Sequence, residues 1–165
     1  GVTLNDPFFN SYPLGVNLYY HFNEFHGLGL VGAYAVSIQT QYVNQIKSEV
    51  NNANAIPFDD APAPKYYVLG QYEFTAYYGK ISFTKQTVAN LSLGFTAGIG
   101  TINLGTDSSL LTSFGLNQRL YLTKRIAVRA DLQALLYQQK DIVLRNPDKK
   151  NIISFLVTGG VQFLF

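Results

Sequence analysis

Residues 152–165 read Ile-Ile-Ser-Phe-Leu-Val-Thr-Gly-Gly-Val-Gln-Phe-Leu-Phe. Alternate positions Ile153, Phe155, Val157, Gly159, Val161, Phe163 and Phe165 are all apolar. Between them stand Ser154, Leu156, Thr158, Gly160, Gln162 and Leu164, a mixed set. A period of two belongs to a β-strand with one apolar face.

The same period recurs upstream. Ile126, Val128, Ala130, Leu132, Ala134 and Leu136 oppose Ala127, Arg129, Asp131, Gln133, Leu135 and Tyr137. Leu110, Phe114, Leu116, Leu120 and Leu122 oppose Ser113, Asn117, Arg119 and Tyr121. Leu91, Leu93, Phe95, Ala97 and Ile99 oppose Ser92, Gly94, Thr96, Gly98 and Gly100. Tyr66, Val68, Gly70, Tyr72, Phe74, Ala76 and Tyr78 oppose Leu69, Gln71, Glu73, Thr75 and Tyr77. Leu28, Leu30, Tyr34, Val36 and Ile38 form a further apolar face, as do Leu14, Val16, Leu18, Tyr20 and Phe22. Val2 to Asn5 supplies an eighth strand, short or clipped.

The connections alternate in length. From the C-terminus they run long (139–151), short (123–125), medium (103–108), short (84–89), very long (40–64), short (23–27) and medium (6–13). Long and short loops therefore fall on opposite ends of the sheet.

Composition explains what this pattern is for. Hydrophobic residues make up 47% of the 165 and charged residues 13%, against about 25% charged in an ordinary soluble domain. No run of apolar residues reaches the roughly 18 needed for a spanning helix. Most charges fall in loops and turns, and none on the apolar faces above. A soluble sandwich would carry Lys, Glu and Asp on its solvated face. A soluble lipocalin-like barrel is the plainer alternative. A transmembrane barrel reverses the soluble arrangement, with apolar residues toward lipid and polar ones toward the lumen. The reading is an all-β, eight-stranded, antiparallel, up-and-down transmembrane β-barrel, a single domain over 1–165 with a long external loop at 40–64. Tyr20, Phe22, Tyr34, Tyr72, Phe74, Phe95, Phe114 and Phe155 are expected to face lipid.

Other counts exclude whole classes. Cys is absent, so disulfides, zinc-thiolate sites and Cys nucleophiles are excluded. The net charge of +2 is mixed in sign, and no basic run marks a nucleic-acid partner. The chain starts at Gly1 and reads as processed or trimmed, so a missing signal peptide carries no weight.

Val161-Gln162-Phe163-Leu164-Phe165 resembles the closing-strand signal of bacterial outer-membrane barrels. Tyr20-His21-Phe22-Asn23-Glu24 and Tyr77-Tyr78-Gly79-Lys80 resemble a family of small outer-membrane β-barrel proteins from predatory and myxobacterial-type Gram-negative bacteria. The resemblance implies a bacterial outer-membrane location. It also implies recognition of Val161, Phe163 and Phe165 by the assembly machinery. It implies no particular chemistry.

An eight-stranded barrel is just wide enough for side chains to fill, so the lumen is expected to be a packed polar core. Arg119, Arg129 and Asp131 lie on adjacent strands joined by a short turn. Arg119 then faces Arg129 with Asp131 on the diagonal, so Asp131 can bridge both guanidiniums while Glu73 joins from another strand. The plainer reading is a buried salt-bridge network; the sharper one is a charge-selective constriction. Gly27-Leu28-Gly29-Leu30-Val31-Gly32 matches G-x-G-x-x-G, but a strand follows it where a dinucleotide site needs a helix. His21 reads as a lumen hydrogen-bonder and His26 as exposed, with no nucleophile marked nearby. Asp59-Asp60 falls far short of a calcium site. Val43, Ile46, Val50 and Ala53 have helical spacing on the long loop.

These readings point to no enzyme, cofactor or metal. They point to a structural or porin-like barrel with membrane lipid as its partner, with a homo-oligomeric, lipid-enclosing ring as a variant. The alternatives are an adhesion or recognition barrel acting through its external loops, and a lipid-modifying membrane enzyme.

Overall fold

In a computed structural model, residues 1–4, 9–41, 63–82, 88–105, 107–140 and 149–165 are described. They form β1 (Val2–Leu4), β2 (Phe9–His21), β3 (His26–Gln39), β4 (Tyr66–Ser82), β5 (Val88–Asn103), β6 (Ser108–Tyr121), β7 (Ile126–Lys140) and β8 (Lys149–Phe163). All belong to one antiparallel sheet ordered β1-β8-β7-β6-β5-β4-β3-β2. From β2 to β8 every ladder joins neighbours in sequence, which is up-and-down topology. No helix among the described residues is long and apolar enough to cross a membrane.

The sheet curls so that distant strands meet across its interior. Arg129 on β7 touches Glu73 on β4 and Tyr19 on β2 across the interior. The Gly1 amino group donates to the Pro13 carbonyl at 2.7 Å, linking the chain at β1 to β2. No ladder joins these two strands, so the expected closed barrel is corrected to an open, curled sheet. Among the described residues β1 pairs with β8 at Val2↔Val157, Thr3↔Leu156 and Leu4↔Phe155.

The strands run further than the alternation suggests. β2 begins at Phe9 and takes in Pro13, in what reads from sequence as a loop. Proline lacks an N–H and suits an edge strand, and Pro13 lies on the open edge. The length contrast between loops also fails once. The 104–107 connection is no longer than 83–87, because it is a tight turn. Asn103 Oδ1 accepts from Gly105 N at 2.9 Å, Leu104 N donates to Asp107 O at 2.8 Å, and Gly105 has a φ of 89°. Most of the long loop, Asp59-Asp60 and the helically spaced residues at 43–53 lie outside the described residues.

Strand parity sorts the side chains. Leu14, Val16, Leu18 and Tyr20 on β2 are exposed, as are Leu110, Phe114 and Leu116 on β6. All eight aromatics expected on the outer surface are exposed, from Tyr20 to Phe155. Facing inward and buried are Ser11, Gln71, Glu73, Thr75, Ser92, Thr96, Ser113, Asn117, Arg119, Arg129, Asp131, Gln133 and Ser154. A register shift between Thr75 and Tyr77 corrects one assignment. The bulge at Ala76 resets the parity of β4. Tyr77 therefore pairs with the outward Leu93 and is itself exposed, contrary to the simple alternation.

The interior is not polar throughout. Toward the end carrying the connections 40–65 and 141–148, a buried cluster joins Val31, Tyr67, Leu69, Ile102, Leu104, Leu111, Leu135, Tyr137 and Leu156. The expected polar lumen is thus corrected to two storeys, one polar and one apolar. The apolar residues sit at the long-loop ends of the same inward faces that carry the charges.

Candidate functional site

The polar storey is organised by one acid that no sequence neighbour serves. Glu73 on β4 is fully buried, with 0% of its surface exposed. One of its oxygens, Oε1, meets both Arg119 Nη2 on β6 and His21 Nε2 on β2, the latter at 3.0 Å. The other, Oε2, accepts from Arg129 Nη1 on β7 at 2.8 Å. Strand register explains why this acid is needed. Arg119 stands directly opposite Arg129, and like charges in that position repel. Glu73 comes between them from the far side of the curled sheet.

Asp131 holds the rest of Arg129. Its Oδ1 accepts from Nε at 2.9 Å and from Nη2 at 2.7 Å, and its Oδ2 lies 3.0 Å from Nε. Such forked pairing is the strongest geometry open to an arginine and a carboxylate. Thr158 Oγ1 on β8 donates to Asp131 Oδ2 at 3.3 Å. Asp131 faces Asn117, not a second arginine. The bridge between the two guanidiniums is therefore Glu73, and of the two Asp131 holds Arg129. Two acids and two guanidiniums leave this group electrically balanced.

Tyr19 completes the storey. Its hydroxyl accepts from Arg129 Nη2 at 3.2 Å and donates to Gln71 Oε1. The Arg129 guanidinium also lies 4.6 Å from the centre of the Tyr19 ring, within range of a cation–π contact. Gly27 and Gly29 face these rings across the β2–β3 ladder. A Cβ on Gly27 would stand 2.8 Å from His21 Cδ2, and one on Gly29 would collide with the Tyr19 ring. The G-x-G-x-x-G run thus lies on a strand and makes room for interior aromatics.

Tyr19, His21, Gln71 and Thr158 are members that the sequence does not group with Arg119, Arg129 and Asp131. Parity puts each on an inward face. It gives no sign of which residues meet across a curled sheet.

At the short-turn end, His26 lies outside. Its Nδ1 is 2.5 Å from Tyr72 Oη, and its ring packs near Phe22 and Phe74. Phe25 meets Tyr78 edge-on, and Tyr78 donates to the Glu24 carbonyl at 2.5 Å. Val161, Phe163 and Phe165 are exposed on or beyond β8. Among the described residues no group of three or more His, Cys, Asp or Glu side chains is placed to hold a metal ion.

A cavity of about 870 Å³ opens beside the network. It lies between β2 and β8, on the Gly1 side of β1. Arg129, Asp131 and Gln133 line its back, and Val16, Leu18, Val161 and Phe163 its rim.

Comparison with known proteins returns no matching family model, curated protein or solved structure.

Proposed function

We propose that this protein is a small outer-membrane β-barrel of a Gram-negative bacterium, structural and not catalytic, with its sheet embedded in lipid. One observation carries the reading: burial is inverted. Charged Glu73, Arg119, Arg129 and Asp131 are buried, while large apolar side chains cover the outer surface of every long strand. In water so much exposed apolar surface favours association. In a bilayer it is the favourable arrangement. The aromatic cluster around His26 and Tyr72 suits a membrane–water interface, where amphipathic rings collect. The exposed Val161, Phe163 and Phe165 support the resemblance to the closing-strand signal read by the assembly machinery.

The apolar storey argues against a conducting pore through the interior. Planar-bilayer recordings are expected to show no discrete channels. Regular single-channel steps would overturn that reading. If the protein acts as a homo-oligomeric ring, the outer faces enclose lipid, and native mass spectrometry in mild detergent reads the copies. Monomer under every condition removes the ring.

Phe114→Arg tests the membrane itself. Phe114 is 55% exposed near the middle of β6. In lipid the charge is expected to cost about 2–4 kcal/mol near the midplane. On a water-facing surface the change stays within about 0.5 kcal/mol. Urea titration of the refolded protein in vesicles separates the two outcomes.

A further inference from the structure

Three rows of the interior repeat one motif across adjacent strands. Thr75, Gly94 and Asn117 stand side by side on β4, β5 and β6. Thr96, Gly115 and Gln133 do so on β5, β6 and β7. Gln71, Gly98 and Ser113 return to β4, β5 and β6. In each row a glycine lies between two uncharged polar residues, so polar side chains and glycines form a checkerboard. The side chains lean over the glycines. A Cβ on Gly98 would stand 2.7 Å from Ser113 Oγ, and one on Gly115 2.9 Å from Thr96 Oγ1. Thr96 is the centre of the board. It pairs with Glu73 and Gly115, which puts Gln71, Ser113 and Asn117 on its diagonals. Gln71, Thr96, Ser113, Asn117 and Gln133 are each more than nine-tenths buried. Yet Gln71 Nε2, Thr96 Oγ1, Ser113 Oγ, Gln133 Oε1 and both amide atoms of Asn117 have no hydrogen-bond partner among the described residues.

We propose that this checkerboard binds a file of water molecules, from Asn117 beside the charged storey to Gln71 and Ser113 next to Leu69 and Leu111. Buried polar atoms without a partner are costly, and internal water is their usual remedy. Diagonal neighbours on paired strands stand about 7–8 Å apart. That is too far for the short side chains of Thr96 and Ser113 to meet. One water bonded to both spans roughly 5.6 Å between their oxygens. The chemistry selects water over an ion. The amide N–H groups of Asn117 and Gln71 repel a cation, and the amide oxygens of Asn117 and Gln133 repel an anion. Water accepts from the first and donates to the second. The next row toward the long-loop end keeps the motif with apolar flanks: Leu69, Gly100 and Leu111. Both leucines are fully buried and offer water no partner, so the file stops there. The inference rests on register and burial, and holds whether or not the outer face meets lipid.

Water-selective NMR of the full chain refolded in detergent micelles is the test. Magnetisation from water is expected to reach the side-chain amides of Asn117 and Gln71 and to leave the methyl groups of Leu69 and Leu111 untouched. Thr96→Val keeps the shape of the side chain and removes the central hydroxyl. It should cut the water signal at both amides by at least half and lower the temperature at which the folded gel band is lost. Ser113→Ala is the gentler variant and should weaken the signal at its row partner Gln71. Absence of water contact at the two amides overturns the proposal. So does an unchanged or raised folded-band temperature in Thr96→Val, the mark of a dry hydroxyl replaced at no loss by an apolar group. Equal transfer to the leucine methyls overturns the stop at Leu69 and Leu111.

Discussion

The two storeys of the interior share the same strands yet hold together by different means. On β4, Leu69 belongs to the apolar storey and Glu73, two inward positions further on, to the charged one. On β7 the order along the chain is Arg129, Asp131, Gln133, then Leu135 and Tyr137. The charged storey depends on partners fixed in direction, joining β2, β4, β6, β7 and β8 through few atoms. The apolar storey depends on contact area and tolerates small displacements. Directional partners set which strands face each other across the interior. Close packing excludes solvent at the long-loop end.

Three substitutions probe that division. Glu73→Ala is expected to have the largest effect, since it leaves Arg119 and Arg129 facing each other without their shared acid. Breaking a buried ion pair from one side costs about 3–5 kcal/mol. The folded band on unheated gels should vanish at a much lower temperature. An unchanged band would show that the charges are solvated and not mutually supported. Leu111→Ala removes a fully buried side chain from the other storey, at about 2–5 kcal/mol in general experience. Combined with Glu73→Ala, its cost should add within about 0.5 kcal/mol, because distant sites without shared partners behave independently. Strong coupling would erase the distinction between the storeys. Asp131→Asn should be the mildest, at about 1–3 kcal/mol, since Arg129 keeps Glu73 and the amide keeps an acceptor. A loss equal to that of Glu73→Ala would make Asp131 an equal bridge.

The strands themselves are legible in the sequence because parity repeats over seven segments. The apolar storey is less so. Leu69, Leu135 and Leu156 stand on mixed faces that also carry the polar residues, and a face read by its average hides where along the strand the change comes. Their depth becomes visible only when neighbouring strands set them side by side. The pairing of Arg119 with Arg129 follows from a short turn between adjacent strands. Glu73 as the bridge does not, since its reach across the interior depends on how far the sheet curls. The Ala76 bulge leaves no mark either, because Tyr77 and Tyr78 satisfy both phases of the pattern equally.

The β1–β8 ladder has a consequence for the order of assembly. From β2 to β8, each strand meets the one made just before it, and such hairpins form with little loss of loop freedom. β1 alone must wait for Phe155, Leu156 and Val157, near the other end of the chain. Pairings so distant in sequence are the slow ones. β1 is therefore made before β2 to β8 yet finds its place only after β8, and until then the growing sheet keeps two sticky margins.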